Sequence, residues 1–510
     1  MASDDDFRAG AASLPLTPPL GLPMVGFIRQ SENGLGHGRF PLEVGAIALE
    51  RGDVRVVLVG VDVLGIASPE VDALIDRVAA ATGADPAGVI LNWNHTHLSP
   101  PGGEYAGALV TEIDDATRAS VRAFSHVLHD AIVSVARLAV DRLEPAGVVW
   151  GQRGVDIAVN RRERTPDGSN GGTLLGWNPE LLLDDQVTVL QLRRPDETPI
   201  ATAVGFGCHP VTTGYDMYVY AADFPGPMRD VVREHTGGEC VFLQGAGGNV
   251  LPRFAFTDTE DEAERMGRRL GLAALEAVAD RTATPTRIVP GGEASATPIR
   301  VYRQVPVDAP APALAALRTT TALPLQPWPD VDDVAAQRAG FDAELERARR
   351  TGRGAAKVAA YHAGWAARTE DALRAGTAPR EIVAPVHAVR IGDGLIVTGP
   401  AETFTETGMA VKERVAGTPT FYAGYTNGMI GYVPTEAEYP FGGYEAGYGY
   451  KSTGLPSHFD PSSARRLVEA GVRLAERLFP DAEPWDGARG WEATGALPEL
   501  PPVRFVHPDA

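Results

Sequence analysis

The chain has 510 residues, of which 44% are hydrophobic and 22% are charged, values typical of a globular protein with room for large cores. Its formal net charge of −20 at pH 7 argues against nucleic acid or an anionic membrane as the main partner, since both bind basic surfaces. The acidic N-terminus lacks a secretory signal, and no run of about 18 apolar residues predicts a membrane span. With only Cys208 and Cys240 as cysteines, the expected compartment is a reducing cytoplasm, and the Ala-, Arg-, Gly- and Pro-rich composition suggests a bacterial source.

The first part of the chain predicts a strand–helix–strand unit. Residues 44–63 contain two apolar runs around an Arg-Gly-Asp turn, and Asp62 lies where the second run ends. A carboxylate at this place indicates either a nearby polar site or a cap for the next helix, which apolar spacing predicts over residues 70–82. A buried strand follows at residues 89–91.

The segment after that strand contains His95-Thr96-His97 and then a Pro-Pro-Gly-Gly turn. On extended backbone, residues two apart point to the same side, so both imidazoles are expected to face one site. Imidazole is a common metal ligand and a good acid or base near neutral pH. The alternative is a pair of hydrogen-bonded loop histidines, because this short pattern is common.

The middle of the chain alternates helices and strands. An amphipathic helix is predicted over residues 115–143, and strands are predicted over residues 147–159, 186–193, 200–206 and 239–244. His209 follows the third of these strands and precedes a proline, and Asp223 ends a flexible aromatic loop.

The last of these strands runs into Gly245-Ala246-Gly247-Gly248-Asn249. Backbone amides in such a turn can approach a ligand closely and bind an oxyanion. The loop lacks the Lys and Ser/Thr of a Walker sequence and the GxGxxG order, so it does not indicate nucleotide binding.

The C-terminal part brings two more ligand-type residues to strand ends. Glu402 follows a strand pair at residues 385–397, and Tyr432 follows a short strand near residue 421. Before them, residues 308–377 are rich in Ala and Arg with helical spacing, which predicts a helical insertion. We therefore expect one mixed α/β domain over residues 1–480 and a Pro-rich tail over residues 481–510.

His95, His209, Glu402 and Tyr432 thus all lie at or near strand ends. Two imidazole nitrogens and a carboxylate oxygen suit a catalytic zinc ion with an open position for water. Local sequence rules do not show that these four residues meet, because the residues are far apart in the chain.

The order of these motifs resembles the neutral/alkaline, non-lysosomal ceramidase family. The family's His-Thr-His followed by Ser-Gly-Pro-Gly-Gly is similar to residues 94–103. Its Asn-Arg element is similar to Asn160-Arg161, and its His-Pro element is similar to His209-Pro210. Its Pro-Gly-Glu-Phe-Thr motif is similar to residues 400–404, and its Tyr-containing element is similar to residues 432–439. The resemblance runs from near residue 8 to near residue 450. It implies zinc ligands His95, His209, Glu402 and Tyr432, and it implies that His97 and Arg161 orient or polarise the substrate carbonyl.

The sequence departs from the family in one loop and at its ends. The family's Gln-x-Asn-x-Gly-Asp-Val-Ser-Pro loop corresponds to residues 244–252, where Asn249 stands for the Asp and Leu251 for the active-site serine. A secretion signal and a C-terminal immunoglobulin-like domain are expected to be absent. The metal site is therefore expected to be kept, while lipid-specific features are in doubt.

These observations predict a Zn²⁺-dependent hydrolase that cleaves an amide (N-acyl) bond of a soluble small molecule with a metal-activated water. Zn²⁺, Tyr432 and the pair His97 and Arg161 would stabilise the oxyanion, with Gly245, Gly247, Gly248, Asn249 and Leu251 beside the substrate. Asp62 and Asp223 would orient the metal-bound imidazoles, unless they only cap helices or brace loops.

Three alternatives stay open on the sequence. The same zinc site could cleave an ester or lactone. The loop at residues 245–249 could bind a phosphate or sugar with the histidines as acid and base and no metal. The chain could be a non-catalytic scaffold, although four ligand-type residues at strand ends argue against it. A homo-oligomer is compatible with all of these interpretations.

Overall fold

The computed structural model describes residues 6–27, 33–103, 114–293, 300–350 and 352–480, so the predicted tail lies outside the described residues. In chain order the strands are β1 (Arg8–Leu16), β2 (Gly36–His37), β3 (Leu42–Arg51), β4 (Val54–Val61), β5 (Val89–Trp93), β6 (Glu144–Pro145), β7 (Gly147–Gly154), β8 (Ala158–Asn160), β9 (Arg162–Arg164), β10 (Thr173–Leu175), β11 (Gln186–Arg193), β12 (Pro199–Phe206), β13 (Val219–Tyr220), β14 (Glu239–Gln244), β15 (Val250–Pro252), β16 (Thr286–Glu293), β17 (Arg300–Pro306), β18 (Leu314–Pro324), β19 (Glu381–Ile391), β20 (Gly394–Thr398), β21 (Glu402–Thr403), β22 (Thr420–Ala423) and β23 (Tyr432–Val433). The α-helices are α1 (Ser68–Thr82), α2 (Asp115–Asp141), α3 (Pro225–Thr236), α4 (Asp261–Val278), α5 (Val331–Ala348), α6 (Arg353–Ala375), α7 (Thr405–Arg414) and α8 (Ser463–Leu478).

Three mixed sheets contain the same structural unit, which is a hairpin followed by a helix and a returning parallel strand. The first sheet has the order β5-β4-β3-β1-β6, and α1 connects the parallel strands β4 and β5. The second has the order β14-β12-β11-β7, with α3 between the parallel strands β12 and β14. The third has the order β18-β19-β20-β22, with α7 between the parallel strands β20 and β22. The predicted mixed α/β architecture is confirmed.

The three sheets pack against one another through their inner faces. Ile47, Trp150, Leu243, Ile396 and Phe421, which come from all three sheets, belong to one buried apolar cluster. On the outer faces, α1 and α2 cover the first sheet, α3 and α4 the second, and α7 and α8 the third. Burial on both faces explains why strands such as β4 are almost continuously apolar rather than alternating.

Asn92, a fully buried residue on β5, ties the ends of the three parallel strand pairs together. Its Nδ2 donates to the backbone carbonyl of Gln244 at 3.1 Å and to that of Gly424 at 2.8 Å. Its Oδ1 accepts from the backbone N–H of Gln244 at 2.7 Å. Gln244 ends β14, and Gly424 follows β22. The carboxyl ends of the strands therefore converge at one place, where open α/β sheets usually place their sites.

The predicted helical insertion at residues 308–377 needs one correction. Its helical part is the hairpin formed by α5 and α6, whereas residues 314–324 form β18, which pairs along its whole length with β19. Segment 314–324 contains three alanines, which disfavour strands, and three threonines, which favour them, and its pairing with β19 and the packing of Leu314 and Leu323 determine its conformation.

Helix α2 is long and apolar enough to cross a membrane by length and composition. Its apolar side, which includes Phe124, Leu128, Ile132 and Val135, packs into the core cluster of the first sheet. The helix therefore has the packing of a core helix in this fold.

We expect Asn92→Ala to destabilise the protein by about 3 kcal/mol or more, because it leaves the buried backbone N–H of Gln244 without its acceptor and removes a donor from the carbonyls of Gln244 and Gly424. Asn178→Ala is the matched control, since Asn178 is only partly buried and its Nδ2 makes one hydrogen bond, to the Arg162 carbonyl. The free energy of unfolding in urea measures both changes. Equal losses in the two variants would contradict the central role of Asn92.

Candidate metal centre and substrate cavity

His95, His209 and Glu402 meet where the three strand pairs converge. The Oε2 atom of Glu402 lies 3.3 Å from Nε2 of His95 and 3.2 Å from Nε2 of His209. All three side chains are buried. Each comes from a different sheet: His95 follows β5, His209 follows β12, and Glu402 begins β21 just after β20.

The hydrogen bonds of the two imidazoles fix their tautomers. His95 Nδ1 lies 2.7 Å from the Leu64 carbonyl, and His209 Nδ1 lies 2.6 Å from the Gly247 carbonyl. A carbonyl only accepts, so each Nδ1 carries a hydrogen and each Nε2 faces Glu402. Burial and the charge of Arg161 lower the pKa of His209 to about 4, so this ring is neutral at pH 7. The unprotonated Nε2 of His209 and the carboxylate oxygen of Glu402 face each other at 3.2 Å, an arrangement that a cation between them would stabilise.

Tyr432 and Arg161 border this cluster on the side of a cavity. The Tyr432 hydroxyl lies 3.4 Å from His209 Nε2 and accepts a hydrogen bond from Arg161 Nη2 at 3.1 Å. The Arg161 Nε donates to Glu445 at 2.6 Å. Burial raises the pKa of Tyr432, so in this environment it is a neutral phenol whose proton can be donated.

The separations among these four residues fit a tetrahedral zinc site. Zn–N and Zn–O bonds of about 2.0–2.2 Å place neighbouring ligand atoms about 3.3–3.6 Å apart. The three measured separations are 3.2, 3.3 and 3.4 Å. The structure thus brings together the four residues that the sequence predicted as a metal site.

His97 lies next to the cluster, as its position two residues after His95 predicted. Nitrogen atoms of His95, His97 and His209 lie within 4.8 Å of one another, which makes this trio a further candidate set of metal ligands. The predicted reason was wrong, however, because His95 has φ 70° and the chain has already left the strand there. His97 also packs on Phe27, with ring centroids 4.5 Å apart.

A cavity of about 540 Å³ opens beside the cluster. Its polar lining comes from His97, Arg161, His209 and Tyr432, and most of the remaining wall is aromatic or aliphatic. The lining includes Val358, Tyr361 and His362 of α6, so the helical insertion forms part of the site. A cavity of this size is typical of a site for one small organic molecule.

Asp62 and Asp223 do not contact the imidazoles, which corrects their predicted role. Asp62 accepts two hydrogen bonds from Arg229, at 3.0 and 2.6 Å, and one from Asn94 Nδ2 at 2.7 Å. Asp223 accepts from Thr212 and from neighbouring backbone amides. The first is a buried ion pair and the second braces a loop, while backbone carbonyls orient the histidines.

The glycine-rich loop has a different role from the predicted binding of an oxyanion. The Gly245 amide donates to the Phe206 carbonyl and the Gly248 amide to the Thr403 carbonyl, while the Gly247 carbonyl orients His209. A Cβ atom at Gly248 would lie 2.4 Å from the Glu402 carbonyl oxygen, so only glycine allows this approach. The loop therefore holds Glu402 and His209 in place, and the predicted oxyanion role is wrong for these amides.

Asn249 and Leu251 also lie behind the site. The Asn249 side chain accepts from the Thr405 amide at 2.8 Å and donates to Glu406 at 3.0 Å. Leu251 is buried in β15, in a small apolar cluster with Val159 and Val211, and Phe27 packs against it. Leu251 thus supports Val211 and Phe27 of the cavity wall and is itself not among the described lining residues.

Sequence reasoning missed Gln244 as a positioning residue. Its buried amide group donates to the carbonyls of Asn94 at 2.9 Å and Cys208 at 2.7 Å, and it accepts from the Cys208 amide at 3.1 Å. Each of these residues directly precedes a cluster histidine. Two signals were available, the polar residue at the end of an apolar strand and its match to the Gln of the family's loop motif.

Tyr425 was also missed. It is fully buried, its ring centroid lies 4.6 Å from that of His95, and its backbone has φ 52°. A left-handed backbone at a bulky residue is uncommon and is typical of functional sites.

Comparison with known proteins gives matches only in three dimensions: no protein-family profile and no curated protein sequence matches the chain. The crystal structure of neutral ceramidase from Pseudomonas aeruginosa superposes with a TM-score of 0.64 and 18% identity, covering 98% of this chain and 77% of that chain. A ceramidase structure in complex with C2 gives a TM-score of 0.64 and 17% identity, covering 98% of this chain and 78% of that chain.

The fold and the buried cluster together define a mixed α/β protein with a candidate metal centre at converging strand ends. Its fold is that of the neutral ceramidases. The resemblance predicted from the sequence motifs is thus confirmed at the level of the fold.

Glu406 gives the site region a pH dependence that can be measured. Burial raises its pKa to about 7, above the value of about 4.3 for an unfolded chain. The folded state therefore holds this proton more tightly, and the resulting stability is full below about pH 4 and is lost as the pH rises through about 7. We expect Glu406→Gln to gain thermal stability relative to the wild type between pH 5 and pH 8.

The control for this experiment is Glu413→Gln, an exposed glutamate on the same helix. Melting temperatures of the three proteins across this pH range measure the effect. A Glu406→Gln curve that stays parallel to that of the wild type would contradict the raised pKa.

Proposed function

We propose that this protein is a zinc-dependent hydrolase that cleaves the amide bond of a small N-acyl compound. The observation that carries the proposal is the meeting of two imidazole Nε2 atoms with one Glu402 oxygen at 3.3 and 3.2 Å, while both Nδ1 atoms are committed to carbonyls. In this proposal His95, His209, Glu402 and Tyr432 hold the ion. Mixed nitrogen and oxygen donors in tetrahedral spacing favour Zn²⁺ over Mg²⁺ or Ca²⁺, which prefer all-oxygen sites.

The chemistry that zinc supplies in such a site is a water whose pKa falls to about 7 and the polarisation of a carbonyl oxygen. The side chains that line the cavity would do the rest. Arg161 donates to the Tyr432 oxygen, so the hydroxyl proton of Tyr432 is free to bind the oxyanion that develops on the substrate carbonyl. His97, at the cavity surface, would accept a proton from the attacking water and deliver it to the leaving nitrogen.

The cavity supports a small substrate. Its volume of about 540 Å³ suits one drug-sized molecule, and a ceramide has two long hydrocarbon chains. The net charge of −20 also disfavours work at an anionic membrane surface. Cys208 and Cys240, which are both buried and unpaired, support the cytoplasm as the compartment.

The alternatives receive less support from the geometry. A phosphate or sugar bound by the loop at residues 245–249 would compete for the amides of Gly245 and Gly248, which donate to protein carbonyls. A bare scaffold would not need two buried imidazoles aimed at a buried carboxylate. An ester could occupy the same site as an amide, so substrate assays must include both.

We expect one zinc ion per chain in the purified protein, and we expect His95→Ala, His209→Ala and Glu402→Gln each to lose it together with hydrolytic activity, because each removes a proposed ligand. His126→Ala is the control, since this histidine lies on an exposed face of α2. Elemental analysis and chelator competition measure the occupancy and affinity. Full zinc occupancy in all three ligand variants would overturn the proposed site.

Gln244→Leu tests the proposed zinc site through a residue that positions the ligands without being one of them. The Gln244 side chain holds the backbone next to both histidines, so we expect zinc affinity to fall about 10–100-fold. The protein should remain folded enough for circular dichroism to verify its helix and strand content. An unchanged affinity would remove Gln244 from the positioning residues.

We also expect ceramide to be a poor substrate, with kcat/KM at least about tenfold below that of small N-acyl amides, equivalent to about 1.4 kcal/mol of transition-state stabilisation. The physical reason is the limited cavity, whose wall at Val211 and Phe27 is supported by buried Leu251. Steady-state kinetics with both substrate types, and with the matching esters, decide the question. A tenfold preference for ceramide would show that the wall does not restrict the substrate.

A further inference from the structure

Two groups of packed aromatic rings form walls of the cavity beside His95, His209 and Glu402. In the first, Phe27 packs at centroid distances of 5.9 Å from Phe256 and 6.4 Å from Tyr215, both in edge-to-face geometry. In the second, Tyr444 packs 5.3 Å from Tyr432 and 5.4 Å from Tyr448. All six rings line the cavity.

Helix α6 supplies a third part of the wall through Val358, Tyr361 and His362. This wall is anchored, because the indole of Trp365 on α6 donates to the Leu455 carbonyl at 2.8 Å and is itself buried. His362 stacks on Phe341 of α5 at 5.1 Å. The helical hairpin therefore has a fixed position against the site.

Among the described residues that line the cavity there is no Lys, Asp or Glu, and Arg161 is the one arginine. Arg161 is paired with Glu445 at 2.6 Å. Burial lowers the pKa of His362 to about 4, so this side chain is neutral at pH 7. An uncharged group is therefore favoured in the part of the cavity away from the metal cluster.

Aromatic walls discriminate between flat rings and flexible chains. A ring gains edge-to-face or offset contacts with several wall rings, and it loses little conformational freedom on binding. An alkyl chain of the same carbon number has more rotatable bonds to immobilise. The cavity thus favours a ring over a chain of equal size.

We infer that the substrate carries a flat, uncharged ring system beside the scissile bond, and that Val358 on α6 limits the size of the group admitted. The inference rests on the proposed amide hydrolysis and names the substrate class of that site.

The test compares substrates with equal carbon number on each side of the amide. One pair consists of the 3-phenylpropanoyl and nonanoyl amides of ethylamine, and the other consists of the acetamides of 3-phenylpropylamine and nonylamine. We expect the ring compound to have a kcat/KM about tenfold higher in at least one pair. Equal or better hydrolysis of the alkyl compound in both pairs would overturn the inference.

Variants at Val358 test the role of α6. This side chain is 39% exposed, so substitutions there are expected to leave the fold intact. Val358→Phe should fill the cavity and lower kcat/KM for the ring substrate about tenfold, whereas Val358→Ala should improve the alkyl substrate relative to the ring. The matched controls are Val383→Phe and Val383→Ala, at a 59% exposed valine on β19 outside the described cavity lining. Identical effects at the two positions would rule out α6 as the limiting wall.

Different outcomes contradict the proposed hydrolysis and the inferred preference for a ring. If none of the amides or matching esters is hydrolysed, the proposed function is wrong. Calorimetric binding of the same four amides to the same protein then still tests the ring preference, and tighter binding of both alkyl compounds would overturn it.

Discussion

The structure depends on a small set of buried amide hydrogen bonds at the point where three sheets converge. Asn92 joins the end of β5 to the ends of β14 and β22, and Gln244 joins the end of β14 to the backbone beside His95 and His209. Both side chains are fully buried, where a hydrogen bond lost without replacement costs more than the same bond at the surface. These hydrogen bonds, together with the apolar contacts between the sheets, fix the three sheets relative to one another.

The candidate metal centre follows from that register, because each sheet contributes a ligand from the carboxyl end of a parallel strand. The arrangement has a cost in local conformation: His95, Tyr425 and Asn427 all adopt left-handed backbone angles. Asn427 is held by β5, since its side chain accepts from the Leu91 amide and donates to the Val89 carbonyl. Packing and hydrogen bonds around the site thus maintain strained residues that place the rings next to one another.

The glycine-rich loop and helix α6 both have roles that their local sequence patterns did not define. The loop's glycines suggested a ligand-binding turn, yet they allow close contact between β14 and the segment around Glu402. The sequence of the helical insertion left its role open between a cover over the site and a packing surface, and the structure shows that it contributes three cavity residues. The loop contacts the segment around Glu402, which lies more than a hundred residues away in the chain, and α6 faces cavity walls formed by other elements of the fold. Short-range sequence patterns carry no information about such contacts.

The sequence by itself determined the elements and the candidates. Apolar runs and turn residues predicted the hairpin β3–β4, the strands β11, β12 and β14 and the helices α1 and α2, and ligand-type residues at strand ends predicted His95, His209, Glu402 and Tyr432. These signals are local, because hydrophobic periodicity and chain-breaking residues act over a few positions. Only the tertiary structure decided that β18 is a strand, that Asp62 pairs with Arg229, that carbonyls orient the histidines, and that α6 lines the cavity. Those outcomes are set by hydrogen bonds and packing between distant segments, which form only when the three sheets come together.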